Sequence, residues 1–105
     1  QVYYDVGNGY NEVDSVRQKF DISGAKTELV FDLPPVSLKA LRFDPAMEAV
    51  NIRIFSMEVI LFGDQSFPVP FASFCPGRHI RSSGIKDDHF YARSKMFTKY
   101  PAIEI

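Results

Sequence analysis

The chain has 105 residues, 46% hydrophobic and 24% charged, the size and balance of one globular domain with a single core, which excludes a disordered tail or a collagen-like repeat. Thirteen acids against twelve bases leave a net charge of −1, so no whole-surface attraction to nucleic acid is expected. No apolar run approaches the roughly 18 residues of a membrane span and no basic-then-apolar leader is visible; a start at Gln1 without Met predicts a fragment or processed piece of a longer chain.

The dominant period along the chain is two. Val2, Tyr4 and Val6 alternate with Tyr3 and Asp5, predicting a half-buried strand closed by the turn signal Gly7-Asn8-Gly9. Ser23-Gly24 precedes a second alternation of Leu29, Phe31 and Leu33 with Val30 and Asp32, which Pro34-Pro35 stops. A third strand over 38–43 ends at Asp44-Pro45. There a cap residue, a first-turn Pro and the early acid Glu48 predict a short turn of helix. Val50, Ile52 and Ile54 then alternate with Asn51 and Arg53, after which Met57, Val59 and Leu61 continue one residue out of phase. The slip predicts one bent strand or two consecutive ones over 50–62, and the β-branched content argues against helix.

From 63 to 89 the pattern weakens. Gly63-Asp64, Pro68, Pro70, Pro76, Gly77 and Gly84 interrupt it. A long irregular connection with one edge strand is expected, in which Phe67, Phe71 and Phe74 still require burial. Regularity returns over 89–97, and 102–105 can form a last strand. Short strands cut by Gly and Pro turns predict one all-β domain over 1–105, an antiparallel β-sandwich of the jelly-roll type with about eight strands and little helix. Leu29, Phe31, Leu33, Leu41, Phe43, Ile52, Ile54, Val59 and Leu61 are expected to supply its core.

Charge is unevenly placed. Residues 1–74 carry six Lys or Arg against ten acids, whereas 75–100 carry Arg78, Arg81, Lys86, Arg93, Lys95 and Lys99 against Asp87 and Asp88. Two oppositely charged patches within one fold account for this. Cys75 is the one cysteine, so no intrachain disulfide forms and a reducing compartment, the cytoplasm, is expected.

Cys75, with Arg81 six positions on and then Ser82, has the spacing of cysteine-dependent phosphatases and rhodanese-like enzymes, where loop amides and an Arg hold an oxyanion beside an attacking thiolate. The match departs at Phe74 and Gly77, and residues 83–88 make a poor helix start, which favours an ordinary loop thiol. Cys75, His79, Asp87, Asp88 and His89 could attract zinc, but only one close pair contains a Cys, so no metal site is assigned. Asp5, Asp14, Asp44, Asp64, Asp87 and Asp88 offer oxygens for a structural calcium ion without the alternating acids of a calcium loop. No cofactor and no catalytic set is expected, the scattered acids being surface charge on outward strand positions. Ten Phe and no Trp point mainly to core. Tyr3, Tyr4 and Tyr10 flank the first turn, and because neighbours on a strand face opposite ways, one of Tyr3 and Tyr4 is expected to stay exposed.

Leu41-Arg42-Phe43-Asp44-Pro45 followed by Val50-Asn51-Ile52-Arg53-Ile54 resembles the strand–turn–strand of galactose-binding-like jelly-roll modules. The opening from Val2 to Glu12 and the closing Tyr100-Pro101-Ala102-Ile103-Glu104-Ile105 are similar to a small accessory β-sandwich of bacterial glycosyltransferase and polysaccharide-biosynthesis proteins. The turn after Pro45 lacks that family's Gly, and 63–89 has no counterpart. The resemblance implies a non-catalytic accessory module that recognises glycan or docks neighbouring domains of a longer chain, or a second copy of itself as a dimer. For binding, Tyr3, Tyr4, Tyr10 and Asn8 are the candidates: tyrosine rings stack on a pyranose and Asn8 bonds its hydroxyls. For docking, Phe67, Phe71 and Phe74 are expected to form an apolar patch.

Overall fold

A computed structural model of the chain describes residues 1–20, 26–35, 37–60 and 65–105. The expected Ser23-Gly24 turn, the core position Leu61 and the Gly63-Asp64 turn lie outside the described residues. Among the described residues the strands are β1 (Val2–Asp5), β2 (Ser15–Val16), β3 (Ala40–Phe43), β4 (Asn51–Ile54), β5 (Glu58–Ile60), β6 (Ser66–Pro68), β7 (Cys75–Pro76), β8 (Ile80–Lys86), β9 (His89–Ser94) and β10 (Ile103–Glu104). Among these residues one 3-10 turn, Phe71–Ser73, is the helical content described. The fold is all-β, as the alternation predicts.

Every pairing is antiparallel. One sheet has the order β2-β1-β3-β10-β7, a second β4-β9-β8, and β5-β6 form a two-stranded ribbon. Register decides which side chains meet. In the five-stranded sheet Phe43 lies opposite Val2 on one side and Ile103 on the other. In the three-stranded sheet Ile52 lies opposite Ala92 and Ile54 opposite Phe90. These two rows meet: Phe43, Ile54, Phe74, Phe90, Ala92 and Ile103 form one buried cluster drawn from both sheets. The Phe74 ring meets Phe90 edge-on at 5.0 Å and Phe71 at 5.7 Å, contacts worth about 0.5–1.5 kcal/mol each beyond burial. Ala102 closes against Gly77, where an added Cβ would lie 2.8 Å from the Ala102 carbonyl oxygen; only glycine admits that approach.

Several expectations change. Phe43 and Ile54 are core as expected, and Leu29, Phe31 and Ile52 pack against it half-buried, but its centre is built from Phe74, Phe90, Ala92 and Ile103. Residues 29–33 keep the alternating burial of a strand, with Leu29, Phe31 and Leu33 inward, yet join no ladder among the described residues. Alternation records which face is covered, and Phe31 satisfies it by packing edge-on against Phe43 at 6.3 Å; it does not specify a hydrogen-bonded neighbour. No helical turn forms after Asp44. The Asp44 amide donates to the Gln1 carbonyl at 2.8 Å and the Tyr100 amide to the Met47 carbonyl at 3.0 Å, so the segment continues extended pairing.

The phase slip after Ile54 separates β4 and β5, which belong to different sheets. The described part of this stretch, 65–89, is far more regular than expected. It holds β6, β7 and the seven-residue β8, whose Ser82, Ser83 and Gly84 lack apolar alternation and are ordered by pairing with β9.

Candidate functional site

The outward face of the five-stranded sheet is built around Arg42. Tyr3 lies opposite it on β1 and Glu104 on β10. The guanidinium carbon sits 4.2 Å from the Tyr3 ring centre and 5.3 Å from that of Tyr10. Its Nε and Nη2 donate to the two carboxylate oxygens of Asp44 at 3.0 and 3.2 Å, the bidentate fork that guanidinium geometry favours. Arg78 adds a looser contact to Asp44 at 3.6 Å. Asp44, the cap residue of the helical turn expected from sequence, is 4% exposed and its carboxylate is taken by guanidiniums instead, because i and i+2 on a strand share a face.

The Tyr3 hydroxyl donates to Glu12 at 2.7 Å and the Tyr10 hydroxyl to the Leu41 carbonyl at 3.2 Å. Burial pushes both phenols above their ordinary values, Tyr3 further by its bond to Glu12, and that bond in turn pulls the Glu12 carboxyl down. This face is internally neutralised: its cations, rings and carboxylates are already each other's ligands.

That outcome bears on the residues expected to bind sugar. Tyr3 and Tyr4 are each 7% exposed, so the expectation that one stays open is not met. Tyr4 turns to the inner face opposite Leu41, and Arg42 covers Tyr3. Tyr10 is half-buried beside Arg42, and Asn8 is exposed at the tip of the first turn, where Asp5 Oδ1 accepts the Gly7 and Gly9 amides at 2.7 and 2.9 Å. The docking trio does not assemble. Phe74 is in the core, Phe71 is half-buried against it, and Phe67 is exposed on β6.

Cys75 is exposed on β7, opposite Glu104. The segment after it leads into strand β8 instead of a helix, so no helix N-terminus faces an anion there. His79 is exposed, and His89 Nδ1 lies 3.0 Å from Asp88 Oδ1, a bond that lowers the Asp88 carboxyl. Among the described residues no three of His, Cys, Asp and Glu gather as for a metal; Asp14 is bonded to Asn11, Asp87 is exposed, and Asp64 lies outside the described residues.

A second surface, on the outward face of β4-β9-β8, was missed from sequence. Three rows cross it. Asn51 lies opposite Arg93, which faces Ser82; Arg53 lies opposite Tyr91, which faces Gly84; and His89 faces Lys86. The register shift between Ile80 and Ser82 inserts Arg81 beside Ser82 in the first row. Phe55 extends the third row, its ring 5.4 Å from that of His89, with Lys26 Nζ 4.0 Å above it.

Tyr91 is the centre of this lattice. A Cβ at Gly84 would meet the Tyr91 ring and hydroxyl at 3.2 Å, so the ring lies across the bare glycine backbone, supported from beneath. Arg93 stands 5.8 Å from the ring centre. None of Arg53, Arg81, Lys86 and Arg93 makes an ion pair among the described residues. The same residues border an open groove that runs past the edge of β4 to Leu29, Phe31, Ile52 and Val59. The signal available in sequence was the alternation of His89, Tyr91 and Arg93 with Phe90 and Ala92, in phase with Asn51 and Arg53 on a partner strand.

Comparison with protein-family models, with curated proteins and with solved structures finds no match. Among the described residues no helix is long and apolar enough to cross a membrane.

Proposed function

We propose that this chain is a non-catalytic saccharide-recognition module that holds sugar on the outward face of β4-β9-β8. The supporting observation is Tyr91, laid over Gly84 and ringed by Asn51, Arg53, Ser82 and Arg93. A phenol supported in this way offers the C–H face of a pyranose an apolar platform, while neighbouring amide, hydroxyl and guanidinium groups reach its hydroxyls. The site takes over the role assigned to Tyr3 and Tyr4, whose rings are occupied. The resemblance at Leu41–Pro45 and at both ends supplies the wider context proposed: a jelly-roll sandwich accessory to a bacterial glycosyltransferase-type protein. The free, exposed Cys75 is in keeping with a reducing, cytoplasmic setting.

A glycan array tests this, with Tyr91→Ala and Tyr10→Ala compared on the same surface. Retained binding by Tyr10→Ala and loss by Tyr91→Ala is expected; equal binding by Tyr91→Ala and the unaltered chain would refute the placement.

The docking reading is favoured by one separate observation. Phe97 is 96% exposed at φ 57°, beside exposed Met96. A bulky residue held in the left-handed region with its ring in water is rare, and a neighbouring domain of the longer chain is the occupant proposed. Joining the chain to that domain should protect the 95–100 amides from hydrogen exchange; unchanged exchange there would refute it.

A further inference from the structure

We propose that the saccharide taken by the Tyr91 face is acidic, its carboxylate, sulfate or phosphate groups being met by Arg53, Arg81, Lys86 and Arg93. This rests on the saccharide reading above and specifies its ligand. Arg53, Lys86 and Arg93 share one side of one three-stranded sheet, and Arg81 stands at the bulge opposite Arg93. With strands about 4.8 Å apart and same-face residues about 6.8 Å apart along a strand, they occupy a footprint of about 10 by 14 Å.

The contrast with the other sheet carries the argument. There Arg42 and Arg78 are satisfied by Asp44. Here four like charges stand together with no acid bonded to any of them among the described residues; of the carboxylates nearest in sequence, Asp87 is exposed beyond the end of β8 and Asp88 is bonded to His89. Like charges at this spacing repel one another unless a counter-charge is brought to them. The inserted residue in β8 adds Arg81 to the group where an unbroken ladder would have placed one side chain.

A saccharide explains the aromatic centre better than a nucleic acid does. Single-strand binders combine an overall basic domain with several aromatics on which successive bases stack. This chain carries a net charge of −1, and of the three rings on this face Phe55 and His89 pack against each other with Lys26 over Phe55, which leaves Tyr91 as the single central platform.

Titration calorimetry on the full chain separates the outcomes. The probes are a galacturonate hexasaccharide, its methyl ester as a neutral isostere, a sulfated heparin hexasaccharide, neutral galacto- and gluco-oligosaccharides, and oligo-dT. Expected is binding of at least one acidic probe about tenfold or more tighter than every neutral one, a preference that collapses at high salt and is lost in Arg53→Gln/Arg93→Gln. Equal or tighter binding of neutral sugars overturns the acidic assignment and leaves the saccharide reading standing. Failure of every sugar overturns both, and tighter binding of oligo-dT assigns the face to nucleic acid instead. The ester comparison and the salt dependence use the unaltered chain, so the result does not depend on a variant folding.

Discussion

Replacing Asp44 with Ala removes the carboxylate that holds Arg42 between two tyrosine rings. The guanidinium remains, with its side chain 16% exposed, so water reaches only part of it. Breaking a buried pair by deleting one partner costs about 3–5 kcal/mol, since the surviving charge is left uncompensated. Partial access to water puts Asp44→Ala near the low end, about 3 kcal/mol. Arg78 contributes little to this figure: its side chain is 48% exposed and its contact is 3.6 Å, the geometry of a surface pair worth about 0–1 kcal/mol.

In urea titrations followed by tyrosine fluorescence, with a slope of about 2 kcal/mol/M, the Asp44→Ala midpoint should fall by about 1.5 M. Arg78→Gln should move it by less than about 0.5 M. Adding Arg42→Met to Asp44→Ala should recover much of the loss, because the stranded charge is gone. A loss below about 1 kcal/mol for Asp44→Ala, or an Arg78→Gln effect as large, would show that the bidentate pair is not what orders this face.

Phe90→Ala, which empties the meeting point of the two sheets, should cost about 3–5 kcal/mol by the same titration. Phe97→Gly should leave stability unchanged or raise it by up to about 1 kcal/mol, since relief at positive φ opposes the entropy of glycine; a clear loss would mean that the exposed ring has a partner. Because the Tyr3 phenol is raised in the folded chain, the folded state holds that proton more tightly. Its stabilisation is complete below the ordinary tyrosine value and lost as pH rises through the folded one. Thermal melts should therefore fall in alkali less steeply for Tyr3→Phe than for the unaltered chain, and parallel profiles would contradict this. Gly84→Val should push Tyr91 off the sheet and weaken saccharide binding by about tenfold while far-ultraviolet dichroism stays β-like.

The fold class was readable because alternation is a local signal: Val2–Tyr4 and Ile52–Ile54 lie on strands where it puts them. Ladders were less readable, since pairing depends on distant partners. Residues 29–33 alternate without joining one among the described residues, while β8 pairs with β9 without alternating. The same limit hid the site. Tyr91 acquires its meaning from Gly84 beneath it and Arg53 beside it, positions seven and thirty-eight residues away, whereas Tyr3, Tyr4 and Tyr10 drew notice by being neighbours in sequence. Neighbouring tyrosines on one strand were absorbed by the two faces of the sheet, one by Arg42 and one by the inner side.

Amide chemical-shift mapping during titration with the galacturonate hexasaccharide, and with whichever neutral oligosaccharide the array selects, tests the central claim most directly. Shifts concentrated at Asn51, Arg53, Ser82, Gly84, Tyr91 and Arg93, with Tyr3, Asn8 and Tyr10 unmoved, are the predicted result. Saturable shifts centred on the Arg42 face instead, or none on either sheet at saturating sugar, would contradict it.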